Sequence, residues 1–370
     1  MRTASRTRSR FWASLAAVSA FALILAACAP EEEEADPVDV PEDVEEDPVE
    51  EPEEEPVEEP EAAEIEGSIE MGRATWDTEY ILSEIYFQLL TELGYDVTHP
   101  EDNELGAELF YQALDQGDVD LWANGWFPLH DPFFEETENV AKVGNMIPAG
   151  GFQGYLVDKA SADEYGIESI EQIAEDPELQ ELFDFEGDGR ADLVGCDAGW
   201  GCFEAIETHF EEQGLDETIH HVSAQYSVLM GDAIARYERG EPIFFYTWTP
   251  NWTVGALVPG EDVVWIEAPT HPDGEDPVEG VEGCVNDPCD IGWTANDIIV
   301  TANQDFLDAN PAAATLLELI EIPLGDVAEQ NLLMNEGEDG ASDIERHAQD
   351  WIEDNRDMVD EWLDAARAAA

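Results

Sequence analysis

The stretches of this chain with chemistry to offer are aromatic. "GWFPLHD" at 125–131, "GCDAGWGCFE" at 195–204 and "FYTWTPNW" at 245–252 each set tryptophan beside glycine or proline at the end of an element. Taken singly, a tryptophan belongs to a core more often than to a binding surface. Three of them at turns, next to residues that fix backbone geometry, are harder to assign to packing. An indole face attracts a cation, above all one whose charge is spread over methyl groups, and the contact is worth about 2 kcal/mol or more once desolvated. The surrounding chain carries 90 acidic residues against 13 basic ones, a net charge of −77. In brine a cage of carboxylates would bind sodium or potassium, whereas an aromatic cage holds a methylated ammonium and leaves small hydrated cations in water. The acidity is therefore expected on the surface and the aromatics in a cleft.

At low ionic strength that much like charge strains a compact fold; near 1 M salt the Debye length falls to about 3 Å and the repulsion is mostly screened. The composition points to an envelope protein exposed to high salt. The same sign of charge argues against nucleic acid and against an anionic membrane surface as partners. Residues 1–28 begin with four arginines, continue through an apolar run and end in small residues before Cys28. This pattern predicts an export signal. Its end, "LILAAC", resembles the lipobox of bacterial lipoproteins, which would make Cys28 the lipidated first residue of the mature chain. Residues 29–66 form an acidic, proline-punctuated stretch without an aromatic or basic residue. Such a stretch cannot bury enough apolar surface to fold and reads as a tether. As polyproline II, its 31–66 portion would reach on the order of 110 Å.

Beyond Cys28 four cysteines remain, in two close pairs. Three connectivities exist on paper; Cys196 with Cys202 and Cys284 with Cys289 are the local ones. Neither spacing is a CxxC and an exported chain sits where disulfides persist, so four metal thiolates are the weaker alternative. "DFEGDGRAD" at 184–192 looks like the start of a calcium loop, but the twelfth position that should carry a carboxylate is Gly195, and a tight acidic turn is the better reading.

The elements that must position the aromatics alternate between strand and helix, which is an α/β pattern. "YILSEIYFQLLTELGY", 80–95, predicts an amphipathic helix ending at Gly94. "DVDLWANGW" predicts a strand feeding a turn, "GFQGYLVDKA" a short strand running into a loop, and "SIEQIAEDPELQELF" helical pieces. A helix is expected from the Gly201–Cys202 step to Gly214. "PIFFYTWTP", "DVVWIEAP" and "DIIVTAN" read as strands, and 303–370 as largely helical.

The aromatic stretches, together with "GYLVDKASADEYGI", "GDGRADLVGC", "YTWTPNWTVGALVPGEDVVWIEAP" and "NPAAATLLELIEIPLGDV", closely resemble the glycine betaine and proline betaine binding proteins of ProU-type ABC transporters from about residue 70 onward. The resemblance implies a type II periplasmic-binding-protein fold, two α/β lobes with the ligand cleft between them: 67–155 and 297–370 as lobe I, 156–296 as lobe II. It implies a monomer that uses no cofactor or metal and delivers glycine betaine to a membrane permease driven by a cytoplasmic ATPase. By the same resemblance Trp126, Trp200 and Trp248 box the quaternary ammonium, while His130 and the amides of Gly201 and Cys202 hold the carboxylate. The 268–292 region, with Cys284 and Cys289, departs from the family pattern.

Two other classes compete. A hydrolase could use His130 and Asp131, but no GxSxG, HExxH or Walker-type signature is present. A binding protein for choline, carnitine or ectoine, or a sensor of betaine, would share the fold. Choline has no carboxylate, so a site that leaves the Gly201 amide and His130 unpaired should reject it.

Overall fold

The computed structural model describes residues 65–370, apart from 273, 275 and 276. The expected export signal with Cys28, and the tether up to residue 64, lie outside the described residues. Among these, no helix is long and apolar enough to cross a membrane.

A seven-stranded sheet organises the chain. Its path runs Leu121–Phe127, Asn296–Asn303, Val140–Asp158, Phe244–Thr249, Ala191–Val194 and Ile219–Val222, with Val263–Ile266 also paired to Val140–Asp158. The central member is where the sequence reading falls short. Instead of a short strand into a loop, "GFQGYLVD" is the second half of a 19-residue strand, and Lys159–Tyr165 is a helix. Asp158 explains the abrupt change, because its carboxylate accepts the Ser161 N–H at 2.8 Å and caps that helix.

The long strand changes neighbours part way along. From Val140 to Gly151 it pairs antiparallel with Asn296–Asn303, and from Phe152 to Val157 with Phe244–Thr249. One continuous strand thus serves both halves of the sheet. The Ala191–Val194 and Ile219–Val222 strands pair in parallel; the first is buried throughout, as expected where helices cover a sheet, whereas the second, at the end of the path, buries only Ile219 fully.

The first helix is Asp77–Leu93, three residues longer at its start than the hydrophobic pattern alone suggests, with Trp76 at its N-cap and Gly94 in the left-handed conformation at its end. Ile81, Leu82, Ile85, Leu89 and Leu90 on it are fully or almost fully buried, each worth about 1.5–3 kcal/mol of removed apolar surface. The Gly201–Gln213 helix ends at Gly214, also left-handed, and five helices occupy Gln304–Ala368.

Charge is managed at the surface. Arg73, Lys142, Lys159, Arg190, Arg236, Arg239, Arg346, Arg356 and Arg367 each have an acidic partner. In the acidic turn, Asp184 accepts the N–H groups of Gly187, Asp188 and Gly189, while the fully buried Asp192 accepts those of Phe185 and Glu186.

Candidate ligand-binding site

The Leu121–Phe127 strand delivers Trp126 to its end, and the chain then turns back on itself. The His130 N–H donates to the Trp126 carbonyl at 2.6 Å, and the Trp126 N–H donates to His130 Nδ1 at 3.0 Å. Leu129 N–H is held by Asn296 Oδ1 at 2.9 Å. Because Nδ1 of His130 accepts, its ring proton sits on Nε2. Burial, with the nearby Lys142 charge, pushes the His130 pKa down to about 3, so the ring is a neutral donor. Gly151 makes room for the Trp126 indole: a Cβ there would stand 2.6 Å from Cζ3.

The second wall comes from the loop after Ala191–Val194. Cys196 and Cys202 are joined by a disulfide that spans this loop, and a second joins Cys284 to Cys289. Trp200 occupies the N-cap of the Gly201 helix and offers no side-chain acceptor to its first turn. The opening N–H groups of that helix are left for another acceptor, at the positive end of the helix dipole. Gly201 permits a close approach, since a Cβ there would lie 2.9 Å from His130 Cδ2 and 3.0 Å from Leu129 Cγ.

Trp248, near the end of Phe244–Thr249, supplies the third wall. The Trp200 and Trp248 ring centroids are 5.7 Å apart at 83°, and Trp76 lies 5.3 Å from Trp200 at 69°. Edge-to-face rings stand as adjoining walls rather than filling one another's faces. They wall a partly open cavity of about 30 Å³.

All six residues expected to form the site, Trp126, His130, Trp200, Gly201, Cys202 and Trp248, line this cavity. Sequence reasoning missed Trp76, Leu129, Gln153 and Tyr246, which line it too. Trp76 had a legible signal: "TWDTE" carries two acidic residues in the first helical turn, which marks a helix start, and a tryptophan at a helix start has the placement of Trp200. Gln153 and Tyr246 gave none. They stand diagonally across the ladder, Gln153 opposite Trp248 and Tyr246 opposite Tyr155, with the Tyr246 O–H donating to Gln153 Oε1 at 2.5 Å.

A wider groove of about 730 Å³ adjoins the cavity and shares Leu129, Gln153 and Gly201 with it. Carboxylates Glu108, Asp131, Glu136 and Glu204 line the groove, and none lines the cavity. The segment with the unfamiliar pattern reaches this groove through Pro272.

Two halves sharing strands of one sheet, with an aromatic cavity walled by residues from both, define a two-lobed solute-binding protein of type II. The backbone matches the solved glycine betaine, L-proline ABC transporter binding protein ProX from Borrelia burgdorferi with a TM-score of 0.63, at 18% identity over 81% of this chain and 99% of that one. The chain matches the model of the substrate-binding domain of ABC-type glycine betaine transport systems over residues 67–354 and belongs to that family. It is 40% identical over 284 residues to the glycine betaine-binding periplasmic protein OusX of Dickeya dadantii (strain 3937), spanning 76% of this chain and 84% of that protein. It is 34% identical over 313 residues to the glycine betaine/proline betaine-binding periplasmic protein of Escherichia coli (strain K12), spanning 83% and 93%. The family is one of substrate capture for transport, not of catalysis.

Proposed function

We propose that this protein captures glycine betaine, and proline betaine with it, outside the cytoplasm and hands it to an ABC permease for osmoprotectant uptake. The observation that carries the reading is a cavity walled by four tryptophans and lined by no carboxylate. A trimethylammonium group has no donor to satisfy and suits π faces; three faces supply roughly 6 kcal/mol. Micromolar affinity needs about 8 kcal/mol, so the carboxylate end must contribute. His130 Nε2–H and the opening amides of the Gly201 helix supply donors for it, assigned here to Gly201 and Cys202.

Trp126, Trp200 and Trp248 hold the ammonium in this reading, with Trp76 as a fourth wall. Lobe I comprises 67–155 and 297–370 and lobe II 156–296; the neighbour change at Gly151–Phe152 supports a crossover close to the first boundary. Ligand touching both lobes favours the closed state. Lipid on Cys28 and the acidic tether would hold the binding domain near the membrane, in a compartment of high salt.

Calorimetric titration of the mature, unlipidated domain in molar NaCl tests this. Micromolar binding of glycine betaine, absent for ectoine, weak for choline and lost in Trp200→Ala, supports the reading. Silence with glycine betaine and heat with another solute would replace the ligand; silence with all would remove the function.

A further inference from the structure

The four indoles of the cavity wall carry four N–H donors, and each is taken by a side-chain oxygen that is not part of the wall. Trp76 and Trp126 both donate to Asn124 Oδ1, at 2.9 and 2.5 Å. Trp200 donates to Thr75 Oγ1 at 2.8 Å, and Trp248 to Thr78 Oγ1 at 2.8 Å. Asn124 and Thr78 are fully buried, and Thr78 passes its own hydroxyl proton to the Pro250 carbonyl at 2.7 Å. An amide oxygen has two lone pairs, so one Asn124 oxygen suffices for two rings.

We propose that Asn124, Thr75 and Thr78 are the specificity-determining positioning residues of the cavity, keeping every indole N–H turned away so that the wall presents faces and no donors. The argument is one of competition. A donor left facing the cavity would hold water or an anion, and in brine both are abundant. A trimethylammonium group cannot replace such a partner, because it has no acceptor, and displacing a well-held water without replacing its bonds loses affinity. A ring released from its oxygen is also free to rotate its face out of line with the cation. The three oxygens touch no ligand atom in this account; they act through the rings.

The thread reaches across the chain. Thr75 and Thr78 flank the start of the first helix, while Trp200 and Trp248 lie well over a hundred residues away. The box is therefore complete only when the helix start, the Trp200 loop and the end of the Trp248 strand are docked, which ties ring orientation to closure.

This inference rests on the proposed ligand, and the test separates the two. Thr78→Val and Thr78→Ser are compared with the unaltered protein by titration with glycine betaine in molar NaCl, with thermal unfolding as the control for folding and exchange of the Trp248 Nε1 proton followed by NMR. The valine is expected to weaken binding about five- to tenfold, corresponding to loss of one hydrogen bond of about 1 kcal/mol, and to speed exchange; the serine is expected to restore both. Asn124→Leu, which frees two rings, is expected to exceed the valine in effect. Valine binding within about twofold of the unaltered protein, or serine as weak as valine, overturns the inference while leaving the ligand in place. If the unaltered protein ignores glycine betaine, the ligand falls, and exchange decides the rest: Trp248 Nε1–H equally fast in valine and serine overturns the positioning role, and protection in serine alone upholds it.

Discussion

The cavity and the groove outside it share three residues, Leu129, Gln153 and Gly201, yet are built on opposite rules. The groove is edged with carboxylates, as befits a chain of net charge −77. The cavity has four indoles, a phenol, a neutral imidazole and no carboxylate. Fields from many acids raise the local concentration of any cation near the mouth, without distinguishing sodium from a methylated ammonium. In the proposed reading, discrimination then falls to the aromatic walls, where a strongly hydrated ion would gain too little to leave water. Attraction and selection would thus be placed in separate regions.

The largest expected effect comes from breaking the cavity side of this contrast. Trp248→Ala removes one face, and the loss of about 2 kcal/mol or more corresponds to about 30-fold or more in the dissociation constant for glycine betaine. Gly201→Ala comes next. The added methyl would meet His130 and Leu129 at about 3 Å, and overpacking of this kind costs about 1–3 kcal/mol. Closed protein should become harder to reach, visible as weaker binding together with a larger radius of gyration in the presence of ligand. An unchanged radius with full affinity would show that the two surfaces need not meet.

Moving the groove's chemistry inward sharpens the comparison. Gln153→Glu keeps the oxygen that accepts from Tyr246 but puts a carboxylate between cavity and groove. Affinity, expected to be nearly flat in the unaltered protein from about 0.1 M to about 3 M NaCl, should now fall as sodium competes for the new charge. A steep fall already present in the unaltered protein would refute the division of labour. Neutralising Glu108, Glu136 and Glu204 to glutamine is the converse: the association rate at low salt should drop several-fold, while the dissociation constant in molar salt stays within about twofold, because screening leaves little long-range attraction to lose.

How much of this could be read beforehand divides along the same line. The six expected residues were legible because each lies at or beside the end of an element, where glycine, proline or a paired cysteine limits the backbone, and because their order resembled a family. The strands and helices around them were legible from apolar spacing. The 19-residue strand was not, since its midpoint "IPAGG" at 147–151 carries the proline and glycines that normally end a strand; there the partner changes and the ladder resumes. Gly151 is used instead to admit the Trp126 ring. Asn124 gave no sign either. A buried polar residue in a strand announces nothing until the two indoles that it serves, one of them 48 positions away, are seen to converge on it.

The smallest expected effect is one of no change, and it concerns His130. An exposed histidine titrates near 6.5, and an imidazolium facing a carboxylate would make binding strengthen as pH falls through that value. Here the folded-state pKa lies at about 3, chiefly because burial penalises the charged ring. With the unfolded value near 6.5, the stability associated with the neutral buried ring is fully present above pH 6.5 and is lost progressively as pH falls toward 3. Across pH 5 to 9 the folded ring keeps one form, Nδ1 accepting from the Trp126 amide and Nε2–H free to donate. Glycine betaine affinity should therefore be level over that range while the unfolding temperature acquires a histidine-linked decline on the acid side. A binding curve with a midpoint near 6.5 would mean that the ring is charged in the complex, and the carboxylate would then be held by an ion pair rather than by a neutral donor beside a helix start.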